Sequence, residues 1–238
     1  MDLFLIRHGE SSNNALEDVS LRVADPELTE KGTAQIECVA EHIAQGLHLY
    51  PGERADDHPS LDRLYCSAMI RASHTAQAIG QALGLAPEIW VDIHEIGGIF
   101  LDHGGEQGRV GYPGQTRAEF AARFPETVVP AAVGEDGWWN KDMEEVHQAQ
   151  GRVIGVVAEL MARAGQDARI GLVTHGGFMD ILLKALGNQL PGNGINYEHD
   201  NTAITRIAIE PQDVVVEHLN RVEHLPDELR MPRRLPVV

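Results

Sequence analysis

Two short segments of the chain carry the residue types that are needed to bind and transfer an anionic group. Each is an apolar run that stops at a His-Gly pair, "LIRHGES" around His8 and "LVTHGGF" around His175. Arg7 precedes the first histidine, and Arg71 lies further along the chain in "SAMIRASHTA". A guanidinium presents a planar fork of N–H donors that fits phosphate oxygens. Two arginines and two imidazoles brought together therefore predict a pocket for a phosphoryl group.

An imidazole in such a pocket can do covalent chemistry. It can attack phosphorus and carry the phosphoryl group, which divides one difficult displacement into two easier ones. The remaining demands of phosphoryl transfer are positioning and stabilisation of charge. A carboxylic acid is also needed, first to protonate the leaving oxygen and then to activate water. The candidate for this role is Glu95, in the segment "DIHEIGG".

The elements that must position these residues follow from the hydrophobic periodicity. Short apolar runs alternate with segments of helical spacing, which predicts an α/β fold: a three-layer sandwich with a mostly parallel central sheet and helices on both faces. We expect strands at 2–6, 61–67, 88–95 and 169–177, a hairpin of 202–210 with 214–220, and helices at 29–46, 68–84, 116–124, 142–164 and 178–186.

Ligands of such folds bind beyond the carboxyl ends of the parallel strands. Arg7 and His8 end the first predicted strand, and His175 ends the fourth. Glu95 ends the third predicted strand, and Arg71 lies in the first turn of the helix after the second. The predicted topology therefore brings all five side chains to one edge of the sheet.

We expect one domain over residues 1–238 with two special segments. Residues 96–140 are rich in glycine and end at Trp138 and Trp139, which indicates an inserted, lid-like segment that sets specificity. Residues 226–238 form a C-terminal tail that we expect to be poorly ordered or draped over the surface.

Composition narrows the class of partner. The chain has 19 basic and 36 acidic residues and a formal charge of −17, which argues against nucleic acid or an anionic membrane as a partner. A small anionic ligand held by a few local cations is still allowed. The two cysteines, Cys38 and Cys66, make a disulfide framework implausible and favour a reducing, cytoplasmic location. The first apolar run is too short for a signal peptide or a membrane span. The sequence leaves a homo-oligomer open.

The segments "LIRHGESSNN", "CSAMIRASHTAQAI", "HE" and "LVTHGG" together resemble the histidine phosphatase superfamily, the phosphoglycerate-mutase-like proteins. The resemblance runs from residue 2 to about residue 220. It implies that His8 is the nucleophile that becomes phosphohistidine and that Glu95 is the proton donor. It further implies that the phosphate clamp consists of Arg7, Arg71 and His175.

The resemblance extends to weaker positions and to the activity. Ser11 and Asn14 match family positions that help to bind phosphate, and Gly176 would lend a backbone N–H. The implied activity is that of a phosphatase on a small phosphorylated metabolite, with no metal and no cofactor. A cofactor-dependent mutase, which would use a bisphosphate primer, and a non-catalytic phosphate-binding protein are the alternatives. All five chemical parts are present, which counts against the non-catalytic alternative.

Departures from the family pattern favour a phosphatase over a mutase. The residues after Glu95, "EIGGIF", are neutral and rich in glycine where mutases have basic or aromatic residues. The insert offers the basic residues Arg109, Arg117 and Arg123, which the sequence alone does not align to family positions. A mutase must hold a second anionic group and shield phosphohistidine from water. His94 and His103 raise the further alternative of a metal site, but their spacing is not that of a metal-binding helix.

Overall fold

The structure is a computed structural model that describes residues 1–55, 58–189 and 194–232. Its strands are β1 (Asp2–Arg7), β2 (Arg63–Cys66), β3 (Glu88–Ile89), β4 (Phe100–Asp102), β5 (Arg109–Gly111), β6 (Arg169–Thr174), β7 (Ile204–Glu210) and β8 (Asp213–Arg221). Its helices are α1 (Glu30–Ala44), α2 (Ile70–Leu83), α3 (Arg117–Arg123), α4 (Val146–Met161) and α5 (Gly176–Leu186). None of the helices within these ranges has the length and apolar character that crossing a membrane requires.

Six strands form the central sheet in the order β3-β2-β6-β1-β7-β8. The first four are parallel, and β7 and β8 add an antiparallel hairpin at one edge. In the pairing of β1 with β6, Arg7 lies opposite Thr174. The two strands therefore end at the same level, and the next residues, His8 and His175, leave the sheet side by side.

Helices cover both faces of this sheet, because successive side chains of a strand point to opposite faces. Phe4 and Ile6 of β1 pack into a core with residues of α1 and α2. Leu3 and Leu5 pack into a second core with residues of α4 and α5. Each such fully buried side chain contributes roughly 1.5–3 kcal/mol. The prediction of a three-layer α/β fold with a mostly parallel sheet is confirmed.

The third predicted strand, 88–95, is wrong over most of its length. Strand β3 contains only Glu88–Ile89, because its partner β2 ends at Cys66 and offers no further backbone to pair with. The chain then turns through a short 3₁₀ helix, Val91–Ile93. Glu95 consequently reaches the site from a loop and not from the end of a strand.

Two helix boundaries also differ from the predictions. Helix α5 begins at Gly176, directly after His175, where the predicted helix begins at residue 178. Helix α4 spans Val146–Met161 and is shorter than the predicted 142–164. Thr29 is the N-cap of α1, since its side chain accepts a hydrogen bond from the Gly32 N–H.

The insert, residues 96–140, contains the hairpin of β4 and β5 and the short helix α3. Its two tryptophans are buried and pack on the His94 ring, with centroid distances of 5.5 Å for Trp138 and 4.8 Å for Trp139. The insert is thereby attached to the residue that precedes Glu95. Of the C-terminal tail, residues 226–232 are described and 233–238 lie outside the described residues.

Candidate active site

His8 follows β1 and is almost completely buried, with an exposed fraction of 2%. Its Nδ1 lies 2.7 Å from the Gly9 carbonyl oxygen, and its Nε2 lies 3.1 Å from Arg71 Nε. Because a carbonyl only accepts hydrogen bonds, the ring proton is on Nδ1, and the lone pair of Nε2 accepts from the Arg71 Nε–H. Burial lowers the pKa of His8 well below its usual value, and the charges of Arg71 and Arg7 lower it further. His8 is therefore neutral and nucleophilic at neutral pH.

His175 is fully buried beside His8, with the ring centroids 5.0 Å apart. Its Nε2 lies 2.8 Å from Ser67 Oγ, and this oxygen accepts from the Met69 N–H. When the Ser67 hydroxyl donates to Nε2, the ring proton of His175 is on Nδ1. That buried Nδ1 has no hydrogen-bond partner among the residues that the structure describes. Burial, followed by the charge of Arg71, lowers the pKa of His175 well below its usual value. A bound phosphoryl oxygen would accept the unsatisfied Nδ1–H.

Arg71 lies in the first turn of α2 and is held there by a buried carboxylate. Its Nη1 is 3.5 Å from Asp25 Oδ1, and Asp25 also accepts from the Ile70 N–H at 3.3 Å. Burial raises the pKa of Asp25 to about 6, against the opposing attraction of Arg71. Burial also lowers the pKa of Arg71. The negative charges of Asp25 and Glu95 raise this pKa again in part, whereas the positive charge of Arg22 lowers it. Asp25 was not predicted, since nothing in "VADPEL" distinguishes it from an ordinary loop carboxylate.

Arg7 is held at the rim of the pocket by two distant parts of the chain. Its Nη1 donates to the His199 carbonyl at 2.6 Å and lies 3.5 Å from the sulfur of Met231 in the C-terminal tail. The guanidinium also lies against Gly176, where an added Cβ would be 3.5 Å from Arg7 Nε. The first described residues of the tail thus contact a predicted phosphate-binding side chain.

Glu95 is half-buried, and its carboxylate lies at the N-terminus of α5. Oε1 accepts from the N–H groups of Ile96 at 3.0 Å and Phe178 at 2.9 Å, and Oε2 accepts from that of Gly177 at 3.3 Å. The unpaired amides and the dipole of a helix N-terminus favour a carboxylate at this place. The approach requires glycine at 177, since a Cβ there would be 2.7 Å from Oε1. The negative charge is near enough to Arg71 to raise the pKa of that side chain.

The three weaker predicted positions also lie around His8. Ser11 is buried, and both its N–H and its hydroxyl lie 3.1 Å from Asn14 Oδ1. Asn201, a residue that was not predicted, donates from Nδ2 to the His8 carbonyl at 3.0 Å and to Asn14 Oδ1 at 3.4 Å. With its Oδ1 so occupied, Asn14 keeps its amide N–H groups for a ligand. Gly176 is the first residue of α5, beside Arg7.

A further residue joins the loop after β1 to helix α2. Thr75 Oγ1 accepts from the Gly9 N–H at 3.1 Å and donates to the Arg71 carbonyl at 2.8 Å. The sequence pattern "RASHTA" marks Thr75 but does not reveal its partner. Together these contacts place the neutral imidazole of His8, two guanidiniums, the second imidazole of His175 and one carboxylate around a single pocket. Within the described ranges, no group of three or more His, Cys, Asp or Glu side chains is arranged to hold a metal ion.

Comparison with known proteins agrees with this arrangement. The family model of the histidine phosphatase superfamily matches residues 3–222, which is nearly the whole chain. The chain therefore belongs to the histidine phosphatase superfamily. Within that superfamily the model that matches is branch 1. None of the curated proteins matched the chain.

Solved structures of low sequence identity share the fold. A mycobacterial glucosyl-3-phosphoglycerate phosphatase in complex with VO3 aligns with a TM-score of 0.54 and 22% identity, covering 93% of this chain and 99% of that one. A putative alpha-ribazole-5'-P phosphatase from Escherichia coli aligns with a TM-score of 0.61 and 20% identity, covering 93% and 97%. A mutant phosphoserine phosphatase from Entamoeba histolytica in complex with phosphoserine aligns with a TM-score of 0.57 and 21% identity, covering 94% and 99%.

Proposed function

We propose that the protein is a phosphomonoester phosphatase that hydrolyses a small phosphorylated metabolite through a phosphohistidine at His8. The observation that carries the proposal is the state of His8. It is neutral, buried and fixed by Gly9, and it presents Nε2 to Arg71. A family match over residues 3–222 supports the same chemistry.

In the first step, His8 Nε2 forms a bond to phosphorus as the bond from phosphorus to the ester oxygen breaks. Glu95 gives its proton to the departing oxygen. In the second step, Glu95 takes a proton from water, and the water oxygen displaces Nε2 from phosphorus and releases inorganic phosphate. Arg7, Arg71 and the Nδ1–H of His175 stabilise the charge on the phosphoryl oxygens.

The class of substrate is supported by the printed names of the similar structures, which are phosphatases of glucosyl-3-phosphoglycerate, phosphoserine and alpha-ribazole phosphate. We assign specificity to the insert 96–140, which packs on the residue before Glu95 through its two tryptophans. The protein itself supplies the cationic and N–H groups that phosphoryl transfer needs, so the proposed reaction uses no metal and no cofactor. A cytoplasmic location is supported by two free thiols, Cys38 and Cys66.

Mutase-type phosphoryl transfer is the second candidate, because of one cation beside the pocket. Arg22 is exposed, its side chain has no hydrogen-bond or ion-pair partner among the described residues, and it is close enough to Arg71 to lower the pKa of Arg71. A free guanidinium at this place is able to hold a second anionic group, which a mutase requires.

A substrate panel with EDTA present separates these candidates. The panel contains p-nitrophenyl phosphate, phosphoserine, sugar phosphates, nucleotides, and 3-phosphoglycerate with and without 2,3-bisphosphoglycerate. We expect phosphate release by the wild type and its loss in His8→Ala, together with acid-labile ³²P bound to the wild type only. Isomerisation of 3-phosphoglycerate that needs the bisphosphate would establish the mutase. Hydrolysis that persists in His8→Ala, or tight binding with no turnover, would contradict the phosphatase.

A further inference from the structure

The loop that carries Glu95, residues 92–97, is held from behind by one arginine. Arg152 of α4 donates from Nη1 to the carbonyl oxygens of Asp92 at 2.5 Å and His94 at 3.2 Å. Both carbonyls precede Glu95 in the chain. Because β3 ends at Ile89, no strand pairing fixes this loop, and these side-chain hydrogen bonds take its place.

The other side of the same guanidinium is fixed by a carboxylate. Nε and Nη2 of Arg152 bind the two oxygens of Glu144 at 2.8 and 2.6 Å in a bidentate pair. The Glu144 backbone N–H in turn donates to the Gly97 carbonyl at 3.0 Å. The pair therefore forms hydrogen bonds to the loop on both sides of Glu95, at the carbonyls of residues 92 and 94 before it and of residue 97 after it.

A third contact of Arg152 is with Phe178, whose backbone N–H binds the Glu95 carboxylate. The Arg152 guanidinium lies over the ring of Phe178, 5.3 Å from its centroid. The Phe178 N–H donates to Glu95 Oε1 at 2.9 Å. Arg152 thus packs against the helix end that binds the Glu95 side chain as well as against the loop that carries its backbone.

The pair is charged and its side chains are largely buried. The side chains of Arg152 and Glu144 are 9% and 4% exposed. Burial alone would raise the pKa of Glu144, but the hydrogen bonds and charge of Arg152 hold it below its usual value. A buried bidentate pair has a fixed geometry, which an exposed pair of long side chains does not have.

We propose that Arg152, fixed by Glu144, is a positioning residue that sets the Glu95 carboxylate in line for proton transfer to the leaving oxygen. The inference rests on the proposed role of Glu95 as proton donor. It predicts a defect that depends on the leaving group. A departing p-nitrophenolate needs little help from an acid, whereas a departing alkoxide must be protonated.

The test compares kcat/KM for p-nitrophenyl phosphate, phenyl phosphate and glycerol 3-phosphate, because kcat/KM reports the steps up to departure of the leaving group. For Arg152→Met we expect kcat/KM to fall roughly 30-fold on glycerol 3-phosphate and less than about 3-fold on p-nitrophenyl phosphate, which is less than the roughly 10²–10⁴-fold that a general acid contributes in full. Glu95→Gln shows the same trend more strongly. In the double variant, Arg152→Met has little further effect, because its partner in the reaction is already lost.

A matched control comes from a second arginine near α4. Arg163 lies over Tyr65 and Trp90, with centroid distances of 5.3 and 5.7 Å, and donates to the Tyr65 hydroxyl at 3.3 Å. Arg163→Met therefore removes an arginine with comparable aromatic packing that does not touch the Glu95 loop. We expect Arg163→Met to leave the ratio of kcat/KM on p-nitrophenyl phosphate to kcat/KM on glycerol 3-phosphate unchanged.

Arg152→Met leaves Glu144 unpaired and can fail to fold. The second variant therefore combines Arg152→Met with Glu144→Gln, and we expect it to change this ratio as Arg152→Met does.

The outcomes separate this inference from the proposed function. If Glu95→Gln depends on the leaving group and the folded Arg152 variants keep the wild-type ratio, Arg152 is only structural and the inference is overturned. An equal loss on all substrates, or a full further loss in the double variant, overturns it as well. If Glu95→Gln itself shows no dependence on the leaving group, the role of Glu95 in the proposed function fails, and that of Arg152 fails with it.

Discussion

At the scale of single residues, the pocket is organised by hydrogen bonds that decide which ring nitrogen carries a proton. The Gly9 carbonyl leaves Nε2 of His8 as a base, and the Ser67 hydroxyl leaves Nδ1 of His175 as a donor. The two imidazoles therefore have opposite properties toward the same ligand, although both are neutral. In the proposed reaction one attacks phosphorus and the other binds a phosphoryl oxygen.

Replacing the serine tests this assignment. In Ser67→Ala, Nε2 of His175 loses its donor, so the ring proton is no longer confined to Nδ1. We expect Ki for inorganic phosphate to rise roughly 10-fold, as for one lost hydrogen bond to a buried group. Ser73→Ala is the control, because Ser73 is buried near Ser67 and contacts no side chain of the pocket. Equal Ki values for the wild type and Ser67→Ala would contradict the assignment.

Residue types that form a recognisable pattern could be predicted from the sequence. Arg7, His8 and His175 end apolar runs, and the chain places them together as strand ends. Ser67 and Asn201 could not be predicted in the same way. Their roles depend on partners at sequence separations of 108 and 193 residues, and nothing in their own neighbourhood marks them.

At the scale of elements, the register of β1 and β6 explains how two segments more than 160 positions apart bring their histidines together. The sequence predicts both strands because both are buried runs with abrupt polar ends. The strand predicted at β3 is too long, because alternating apolar residues in "EIWVDIHE" resemble a strand whether or not a partner strand is present. Pairing is a property of two segments, and the length of the partner cannot be read from one of them.

Helix α4 contains two glycines whose replacement we expect to stabilise the protein. Gly151 and Gly155 are exposed, and an added Cβ at either would meet no atom within 4 Å. Alanine at each position should raise the free energy of unfolding by about 0.8–1 kcal/mol, which corresponds to roughly 2–4 °C in Tm. Thermal unfolding followed by circular dichroism measures this. Gly98→Ala is the opposite control, since its φ is +70° and the new Cβ would overlap the Trp139 ring. Unchanged or lower Tm values in the α4 variants would refute the expectation.

At the scale of the whole molecule, histidine is distributed through the interior well beyond the pocket. His42, His48, His218 and His224 line one small cavity between α1 and the hairpin of β7 and β8. Burial lowers the pKa of His48, His218 and His224 to about 4. The ordinary value for a histidine is about 6.5.

This cluster makes stability depend on pH in a stated direction. Between about pH 6.5 and pH 4 the unfolded chain binds protons that the folded chain does not, so the free energy of unfolding falls as the pH falls. We expect Tm at pH 5 to be lower than at pH 7 by on the order of 10 °C. Asp25, whose pKa is raised to about 6, opposes this trend with one group.

The variant His48→Gln isolates one contributor. Its amide N–H can still donate to the Ser60 carbonyl, which lies 3.2 Å from His48 Nε2, but it does not titrate. We expect a shallower decline of Tm between pH 7 and pH 5 than in the wild type. Scanning calorimetry at several pH values gives both curves, and parallel curves would count against the role of His48.

The position of Glu95 at the start of α5 also offers a spectroscopic signal. The amide protons of Gly177 and Phe178 point at its two carboxylate oxygens, and each oxygen becomes a weaker acceptor when the carboxyl takes up a proton. In the proposed reaction Glu95 loses and regains a proton in every turnover. The ¹H and ¹⁵N chemical shifts of these two amides should therefore differ between the protonated and the ionised form of Glu95, and would report the charge of the acid from the backbone of the helix it caps.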